Sequence, residues 1–296
     1  MSDFTVTDIP DLAGQTIIVT GASSGIGVET ARALAAGGAR VILAVRDKGK
    51  GERVAASLPG ATEVRLLDLA SLDSVRAFAA GWDGPVDILV NNAGVMATPL
   101  RRTADGFELQ FGTNHLGHFA LTLLLLPSIT TRVVTVSSSA HQFGSIDFAD
   151  LNWERKKYRR WQAYGQSKLA NLLFTAELQR RLTEAGSPVL ALAAHPGYAA
   201  TNLQSQTGSR LLDALMDLGN RTIAQDPAGG ALPTLYAATA PLPGNTFAGP
   251  SKLGGIRGAP APCSRSKAAF DPQAAARLWT VSEQLTGVTT PQIQPQ

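Results

Sequence analysis

The sequence predicts an α/β fold with a doubly wound, mostly parallel seven-stranded sheet and helices on both faces. Short apolar runs rich in β-branched residues, such as 16–20 and 40–45, recur along the chain. Runs of this kind are typical of strands buried on both faces of a parallel sheet. Helical lengths separate them, which indicates βαβ units with right-handed crossovers. Glycine-rich or polar segments follow several strands, as expected where such a sheet binds its ligands.

The composition indicates a soluble globular protein. The chain has 296 residues, of which 44% are hydrophobic and 17% are charged, and these proportions are ordinary for a folded domain. With one cysteine, Cys263, and four scattered histidines, we predict neither a disulfide nor a metal site. A net charge of +3 is too small to indicate a nucleic acid partner.

The chain is divided into an N-terminal extension at 1–14, a single domain at 15–286 and a flexible tail at 287–296. Within the domain, residues 198–225 show weak periodicity and are predicted to form a mobile cover over the site. The N-terminus lacks the apolar region of a signal peptide, and the longest apolar run, near 119–127, is too short to span a bilayer. A cytoplasmic location is therefore expected.

The first strand, at 16–20, runs directly into a glycine-rich loop at 21–27 and then into a helical pattern. In this context glycines allow a tight turn and let the backbone approach a pyrophosphate at the helix N-terminus. The spacing of Gly21, Gly25 and Gly27 departs from the usual dinucleotide fingerprint. We interpret the segment as the dinucleotide loop of a Rossmann-type sheet. The alternative is a simple strand-to-helix turn.

The second strand, at 40–45, ends at Arg46 and Asp47. An acidic residue at this place would bind the ribose hydroxyls of NAD, whereas an arginine would suit the 2′-phosphate of NADP. Because Arg46 comes first, we predict NADP in preference to NAD. A surface arginine without a ligand is the alternative.

Two further strands are predicted at 63–67 and 87–90, with a helix at 71–80 between them. Residues 68–69 close the first of these strands, and Asn-Asn-Ala-Gly at 91–94 closes the second. Both segments lie at carboxyl ends of strands, where open α/β sheets bind ligands. Asp, Asn and Gly also form ordinary turns in any fold, so the turn interpretation stays open.

A helix is predicted at 104–126, with Asn114 in its middle. An asparagine is unfavourable there unless its amide makes specific hydrogen bonds. His115 and His118 lie in the same predicted helix and are given no role. The next strand, at 132–136, ends in three consecutive serines.

Residues 141–161 interrupt the alternation of strands and helices and contain a basic cluster at 154–160. A solvated charged loop is the favoured interpretation. The alternative is a patch for an anionic membrane surface, where each basic residue would contribute about 1 kcal/mol.

Tyr164 and Lys168 follow in a helix that is predicted to end near residue 182. Side chains four residues apart share one helix face, so both can reach one small site. An ammonium beside a phenol should bring the phenol pKa from about 10 towards neutrality. Such a phenol can exchange a proton with a carbonyl or an alcohol. The spacing also arises often by chance, so its meaning depends on the other residues.

The remaining elements complete the alternation. A buried strand is predicted at 189–194, a helix at 228–238, a strand near Phe247 and a last helix at 272–285. Residues 249–262 are rich in proline and glycine, and no strand is predicted there.

Together these segments resemble the short-chain dehydrogenase/reductase family over about residues 14–240. The matching motifs are Thr-Gly-Ala-Ser-Ser-Gly-Ile-Gly at 20–27, Asn-Asn-Ala-Gly at 91–94, Asn114, the serines after the strand at 132–136, Tyr164 with Lys168, and Pro196-Gly197 followed by Thr201. Residues 44–47, 114–119 and 164–171 look like the retinol dehydrogenase and WW-domain oxidoreductase group.

The resemblance implies an enzyme that interconverts a carbonyl and an alcohol by hydride transfer with NADP(H). Tyr164 would be the general acid or base, and Lys168 would lower its pKa and hold the nicotinamide ribose. Ser138 would orient the substrate carbonyl, and Asn114 would hold a water in a proton relay. Ser138 is chosen over the two flanking serines because the family's serine is the second residue after the valine of the strand.

The resemblance also assigns the cofactor contacts. The residues concerned are Gly21, Ser23, Ser24, Gly25, Ile26, Gly27, Arg46, Asp68, Leu69, Asn92, Ala93, Gly94, Tyr164, Lys168, Pro196, Gly197 and Thr201. Within this set, Arg46 would bind the 2′-phosphate and Thr201 the carboxamide.

Partners follow from the same resemblance. The N-terminal membrane anchor of many retinol dehydrogenases has no counterpart at 1–14, which argues against a retinoid and leaves another apolar substrate of small to medium size. Peripheral membrane contact stays open. A homodimer stays open too, because the family often pairs through its two long helices but the retinol dehydrogenase group is less uniform. The alternative function is a regulator or scaffold that binds NADP(H) without turnover.

Overall fold

The structure is a computed structural model that describes residues 3–197 and 226–292. An eight-stranded sheet forms its centre, in the order β3-β2-β1-β4-β5-β6-β7-β8. The strands are Thr16–Thr20 (β1), Arg40–Val45 (β2), Thr62–Leu66 (β3), Val86–Asn91 (β4), Ile129–Val136 (β5), Leu190–Ala194 (β6), Phe247–Lys252 (β7) and Arg257–Pro262 (β8). All neighbouring strands from β3 to β7 pair in parallel.

Helices cover both faces of the sheet. They are Gly25–Ala36 (α1), Lys48–Ala55 (α2), Leu72–Ala80 (α3), Leu109–Phe111 (α4), Gly117–Leu125 (α5), Arg160–Glu184 (α6), Pro227–Thr239 (α7) and Pro272–Thr286 (α8). The apolar residues of α1 and α7 pack on one face, and those of α3, α5, α6 and α8 pack on the other.

The alternation of side chains along β1 explains why its sequence is continuously apolar. Ile17 and Val19 belong to the core beneath α1 and α7, whereas Ile18 belongs to the core on the opposite face. Successive strand residues point to opposite faces, so a strand that is covered on both sides needs apolar residues at every position. The predicted doubly wound α/β class is confirmed.

The sheet has one strand more than predicted. The additional strand, β8, pairs antiparallel with β7 at the edge of the sheet, with Pro250 opposite Pro260 and Ala248 opposite Pro262. The prolines and glycines of this segment argue against a strand on local grounds. An edge strand tolerates them, because its outer side has no ladder hydrogen bonds to lose.

The helix predicted to begin near residue 104 begins at Leu109. The Glu108 carboxylate accepts hydrogen bonds from the backbone N–H groups of Gln110 at 3.0 Å and Phe111 at 2.7 Å, and this cap defines the start of α4. Burial raises the pKa of the Glu108 carboxyl. A π-helical turn, Gly112–Leu116, then joins α4 to α5, so the predicted single helix is three consecutive segments.

The C-terminal helix α8 packs on α5 and α6. The Trp279 ring stacks on Phe174 with centroids 5.7 Å apart and meets the edge of Phe119 at 5.1 Å. Trp279 of α8 thus contacts both α5 and α6.

Parts of the predicted tail and extension pack against the domain. Val288 is buried, and Trp279 Nε1 donates to Thr290 Oγ1 at 2.9 Å. Near the N-terminus, the Phe4 ring contacts Tyr236 with centroids 5.1 Å apart. The predicted cover at 198–225 lies outside the described residues. Within the two described ranges, every helix is too short or too polar to cross a membrane.

Candidate active site

A cavity opens at the carboxyl ends of β1 to β6, beside the first turn of α1. The predicted site residues on its lining are Gly21, Ser23, Ser24, Gly25, Ile26, Gly27, Arg46, Asp68, Leu69, Asn92, Ala93, Gly94, Tyr164, Lys168 and Pro196. Further lining residues, which sequence reasoning did not assign, are Ala44, Lys50, Leu67, Val95, Met96, Thr113, Val136 and Ser137. The parallel sheet brings these segments together because the carboxyl ends of its strands meet at one edge.

The glycine-rich loop has a backbone that requires glycine at specific positions. Gly21 and Gly25 have φ angles of 68° and 55°, which glycine adopts without steric cost. A Cβ atom at Gly27 would lie 2.6 Å from both Asn92 Nδ2 and Gly21 O. The loop leads into α1, whose first N–H groups have no partners within the helix. Such a helix N-terminus is suited to an anionic group such as a phosphate.

Thr20, at the end of β1, connects the glycine-rich loop to the end of β4. Its Oγ1 accepts hydrogen bonds from the backbone N–H groups of Asn92 and Ala93, each at 2.9 Å. The Asn92 side-chain amide donates in return to the Thr20 carbonyl at 2.7 Å. Sequence reasoning gave Thr20 no role. The signal available in the sequence was a polar residue at the end of an apolar strand, directly before the loop.

Arg46 and Asp47, the two candidate residues at the end of β2, have side chains in different places. Arg46 lines the cavity together with Lys50. The Asp47 side chain instead caps α2 by accepting a hydrogen bond from the Lys50 backbone N–H at 2.9 Å. The cavity thus has two cationic side chains at this edge, and Lys50 was missed because its relation to Arg46 depends on the fold of the β2–α2 turn.

Tyr164 and Lys168 lie on α6 with their side chains buried at the cavity. Lys168 Nζ donates to the carbonyl oxygen of Val136, at the end of β5, at 3.0 Å. The same nitrogen is 5.7 Å from the centroid of the Tyr164 ring. The pair therefore faces one site, as the spacing of the two residues predicts.

The pKa of Tyr164 differs from the sequence-based expectation. Burial is the larger effect and raises the pKa to about 12, although a hydrogen bond with the Ser138 side chain opposes this rise. Burial likewise lowers the pKa of Lys168 to about 8. The pKa of Tyr164 thus lies above its ordinary value, where the sequence predicts a lowering by the lysine ammonium, because loss of solvation disfavours the charged form of both groups. The Tyr164 hydroxyl is consequently neutral at neutral pH.

The three consecutive serines have different surroundings. Ser137 is buried and its hydroxyl donates to the Lys168 carbonyl at 2.7 Å. Ser138 Oγ accepts the backbone N–H of Ala140 at 3.2 Å and interacts with the Tyr164 hydroxyl. Ser139 is exposed. Of the three, Ser138 is the one with its hydroxyl at the tyrosine.

Asn114 lies in the π-helical turn, and its amide is fully used within the protein. Oδ1 accepts the Val95 N–H at 2.8 Å, while Nδ2 donates to the Val95 carbonyl and to Ser167 Oγ, each at 2.9 Å. The side chain thus joins the segment after β4 to α6. It does not line the cavity directly, and its main-chain carbonyl accepts from His118 Nδ1 at 3.0 Å.

His195, Pro196 and Gly197 directly follow β6. Gly197 has a φ angle of 68°, and its N–H donates to His195 Nδ1 at 3.2 Å. Burial lowers the pKa of His195 to about 4, so at neutral pH the ring nitrogen is free to accept this bond. Pro196 lines the cavity, whereas the predicted contact Thr201 lies outside the described residues.

The insertion at 141–161 is anchored to the loop before α4. Tyr158 donates its hydroxyl hydrogen to Glu108 Oε1 at 2.9 Å, and Gln110 Nε2 donates to the Tyr158 oxygen at 2.8 Å. In the basic cluster, Lys156 pairs with Asp147 at 2.7 Å. These contacts connect the insertion to Glu108 and Gln110 and pair one of its basic side chains with an acidic one.

Comparison with known proteins identifies the class. Residues 15–211 match the model of the short chain dehydrogenase family, and the chain belongs to this family. It is an oxidoreductase that acts on CH–OH groups.

Named relatives and a solved structure agree with this assignment. Retinol dehydrogenase 13 from Homo sapiens is 44% identical, with 96% of this chain and 88% of that protein covered. Polyprenol dehydrogenase from Mus musculus is 41% identical, with the same shares covered, 96% and 88%. A crystal structure of an uncharacterized protein from Mycobacterium Paratuberculosis is 54% identical, with a TM-score of 0.86 over 98% of this chain and 100% of that one.

Proposed function

We propose that this chain uses NADP(H) to interconvert a carbonyl and an alcohol, with Tyr164 as the general acid or base. The observation that carries the proposal is that Tyr164 and Lys168 line the same cavity as the glycine-rich loop, while the Ser138 side chain is hydrogen-bonded to Tyr164. In this proposal the glycine-rich loop holds the phosphates of the dinucleotide and Tyr164 exchanges the proton. These are the two requirements of a dinucleotide-dependent oxidoreductase.

The chain's own residues would act as follows. When bound, the nicotinamide supplies or accepts the hydride at the substrate carbon. In reduction, the Tyr164 hydroxyl donates its proton to the carbonyl oxygen and becomes a phenolate. Oxidation is the reverse step, in which the phenolate takes the alcohol proton and becomes a hydroxyl again. Ser138 orients the substrate oxygen by a hydrogen bond. Lys168, held by the Val136 carbonyl, would bind the nicotinamide ribose.

The proposed substrate is an apolar alcohol or its carbonyl counterpart, of small to medium size. Two relatives are named for the dehydrogenation of retinol and of polyprenol, which are both apolar alcohols. Val95 and Met96 add apolar surface to the cavity between the glycine-rich loop and Asn114. We retain a cytoplasmic location as part of the proposal.

The basic cluster of the insertion fits two environments. Arg155, Lys157 and Arg159 are exposed, which suits either water or an anionic membrane surface. Lys156 is already paired with Asp147, and this favours the solvated loop. Co-sedimentation with vesicles that contain phosphatidylserine distinguishes the two, because only a membrane-binding patch would retain the protein at low salt.

The preference for NADP is proposed from Arg46 and Lys50. Arg46→Ala is expected to raise the Kd of NADPH about tenfold, because one charge-assisted hydrogen bond to the 2′-phosphate is lost. The Kd of NADH should stay unchanged. Fluorescence titration of both nucleotides measures this, with Arg53→Ala, an exposed arginine on α2, as the matched control. An equal loss for both nucleotides, or a native preference for NADH, would contradict the proposal.

Turnover distinguishes the proposed enzyme from a regulator of the same fold. The purified protein, NADPH and a panel of aldehydes and ketones of increasing chain length are mixed, and the loss of NADPH absorbance is followed. We expect turnover with apolar members of the panel. Tight NADPH binding without turnover on any member would instead support a regulator or scaffold.

A further inference from the structure

His118 is a buried histidine whose ring contacts two segments near the cavity, one at Thr20 and one at Asn114. This residue of α5 is 1% exposed, and each of its ring nitrogens has a protein partner. Nδ1 lies 3.0 Å from the main-chain carbonyl oxygen of Asn114. Nε2 lies 2.9 Å from Oγ1 of Thr20. The ring therefore lies between the turn that carries Asn114 and the strand end that precedes the glycine-rich loop.

The partners determine where the ring carries its proton. A carbonyl oxygen can only accept a hydrogen bond, so Nδ1 carries the hydrogen. Burial, together with the nearby Lys168 ammonium, lowers the pKa of His118 to about 4, so the ring is neutral at neutral pH. Nε2 is then an acceptor, and the Thr20 hydroxyl donates to it.

The direction of the Thr20 hydroxyl matters for the cavity lining. When its hydrogen points to His118, both lone pairs of Oγ1 are available to the backbone N–H groups of Asn92 and Ala93, each at 2.9 Å. The other acceptor within reach, the Val90 carbonyl, is farther away at 3.3 Å. His118 is thus the nearer acceptor for the Thr20 hydroxyl, which in turn holds two residues of the cavity lining, Asn92 and Ala93.

The other ring nitrogen of His118, Nδ1, contacts Asn114, which lies near Lys168. Because the Asn114 amide bonds to Val95 and to Ser167, the placement of its backbone affects the cavity wall and α6 together. A Cβ atom at Gly94 would lie 3.1 Å from Asn114 Oδ1 and 3.5 Å from Lys168 Nζ. Asn114 and Lys168 thus both lie beside Gly94, and the Asn114 amide bonds to Ser167, the residue directly before the lysine.

We propose that His118 is a positioning residue with two separable effects, one on dinucleotide affinity through Thr20 and one on the chemical step through the Asn114 carbonyl. The proposal rests on the proposed function, since it assumes that the cavity binds NADP(H) and that Lys168 and Tyr164 serve catalysis. His118 does not touch the cavity lining itself.

Two substitutions separate the effects. The amide of asparagine reaches the position of Nδ1, so His118→Asn keeps the bond to Asn114 and loses the one to Thr20. We expect the Kd of NADPH to rise about tenfold, with kcat changed less than about twofold. The amide of glutamine reaches the position of Nε2, so His118→Gln should lower kcat about tenfold and leave the Kd within about twofold.

A second buried histidine provides the control. His115 lies one turn earlier, and its Nε2 contacts Ser282 Oγ at 2.9 Å in the core beneath α8. His115→Gln should lower the melting temperature and leave both the Kd of NADPH and kcat unchanged. If both His118 variants change the Kd and kcat in the same proportion, or change neither, the separable roles are wrong.

The tautomer is measured independently of catalysis. In protein labelled with 15N-histidine, the His118 signals should show a protonated Nδ1 and an unprotonated Nε2 at neutral pH. An Nε2–H tautomer or a charged ring would overturn the proposal. If the wild type binds NADPH but turns over no carbonyl, the proposed function fails, whereas the tautomer and the Kd of His118→Asn still decide the role of His118.

Discussion

Tyr164→Phe is expected to lower kcat by roughly 100-fold to 10,000-fold, because it removes the group that exchanges a proton with the substrate oxygen. The phenylalanine keeps the ring, which lies edge-on to Trp161 with centroids 6.2 Å apart. The fold and the Kd of NADPH should therefore stay close to those of the wild type. Steady-state turnover and fluorescence titration of NADPH measure the two quantities separately.

Tyr236→Phe is the matched control for this substitution. Tyr236 lies on α7 and contacts Phe4, away from the cavity lining. Its variant should turn over substrate at the wild-type rate. Full turnover by Tyr164→Phe on an identified substrate would show that the proton comes from another group, and the proposed mechanism would have to be abandoned.

Gly27→Ala is expected to raise the Kd of NADPH by roughly 10-fold to 100-fold. The new Cβ would lie 2.6 Å from Asn92 Nδ2 and from the Gly21 carbonyl oxygen, closer than atoms can approach. The loop or the end of β4 must shift, and overpacking of this kind costs about 1–3 kcal/mol. Titration of NADPH measures the loss of affinity, and thermal unfolding shows whether the fold persists.

Gly49→Ala tests whether the effect is specific to the loop. A Cβ at Gly49 would be 3.7 Å from its neighbours, which is ordinary contact, and the residue lies within α2. This variant should bind NADPH like the wild type and be more stable by up to about 1 kcal/mol, since alanine favours a helix over glycine. Wild-type affinity in Gly27→Ala would show that the loop does not hold the dinucleotide.

The strands of the sheet could be predicted where the sequence pattern is local. β1 and β2 have the predicted bounds, 16–20 and 40–45, because continuous β-branched runs have few other stable environments. β8 could not be predicted, since its prolines and glycines disfavour a strand. It forms because β7 provides a partner at the edge of the sheet.

The start of the helix predicted at 104–126 could not be predicted from the local sequence either. The apolar pattern near 104–126 predicts one helix, but the buried Glu108 carboxylate caps α4 five residues beyond the predicted start. Glu108 is held in place by Tyr158 and Asn152, which belong to the insertion. The start of this helix therefore depends on residues that lie 44 and 50 positions after Glu108 in the chain.

The sequence alone determined the α/β class, the glycine-rich loop after β1 and the pairing of Tyr164 with Lys168 on one helix face. These features follow from periodicity and spacing, which are properties of neighbouring residues. Tertiary structure alone decided that Asp47 caps α2 while Arg46 lines the cavity, and that the pKa of Tyr164 is raised. It also decided that His118 meets Thr20, 98 positions earlier. Burial and contacts across the sheet arise only when distant segments pack together, so no local pattern contains them.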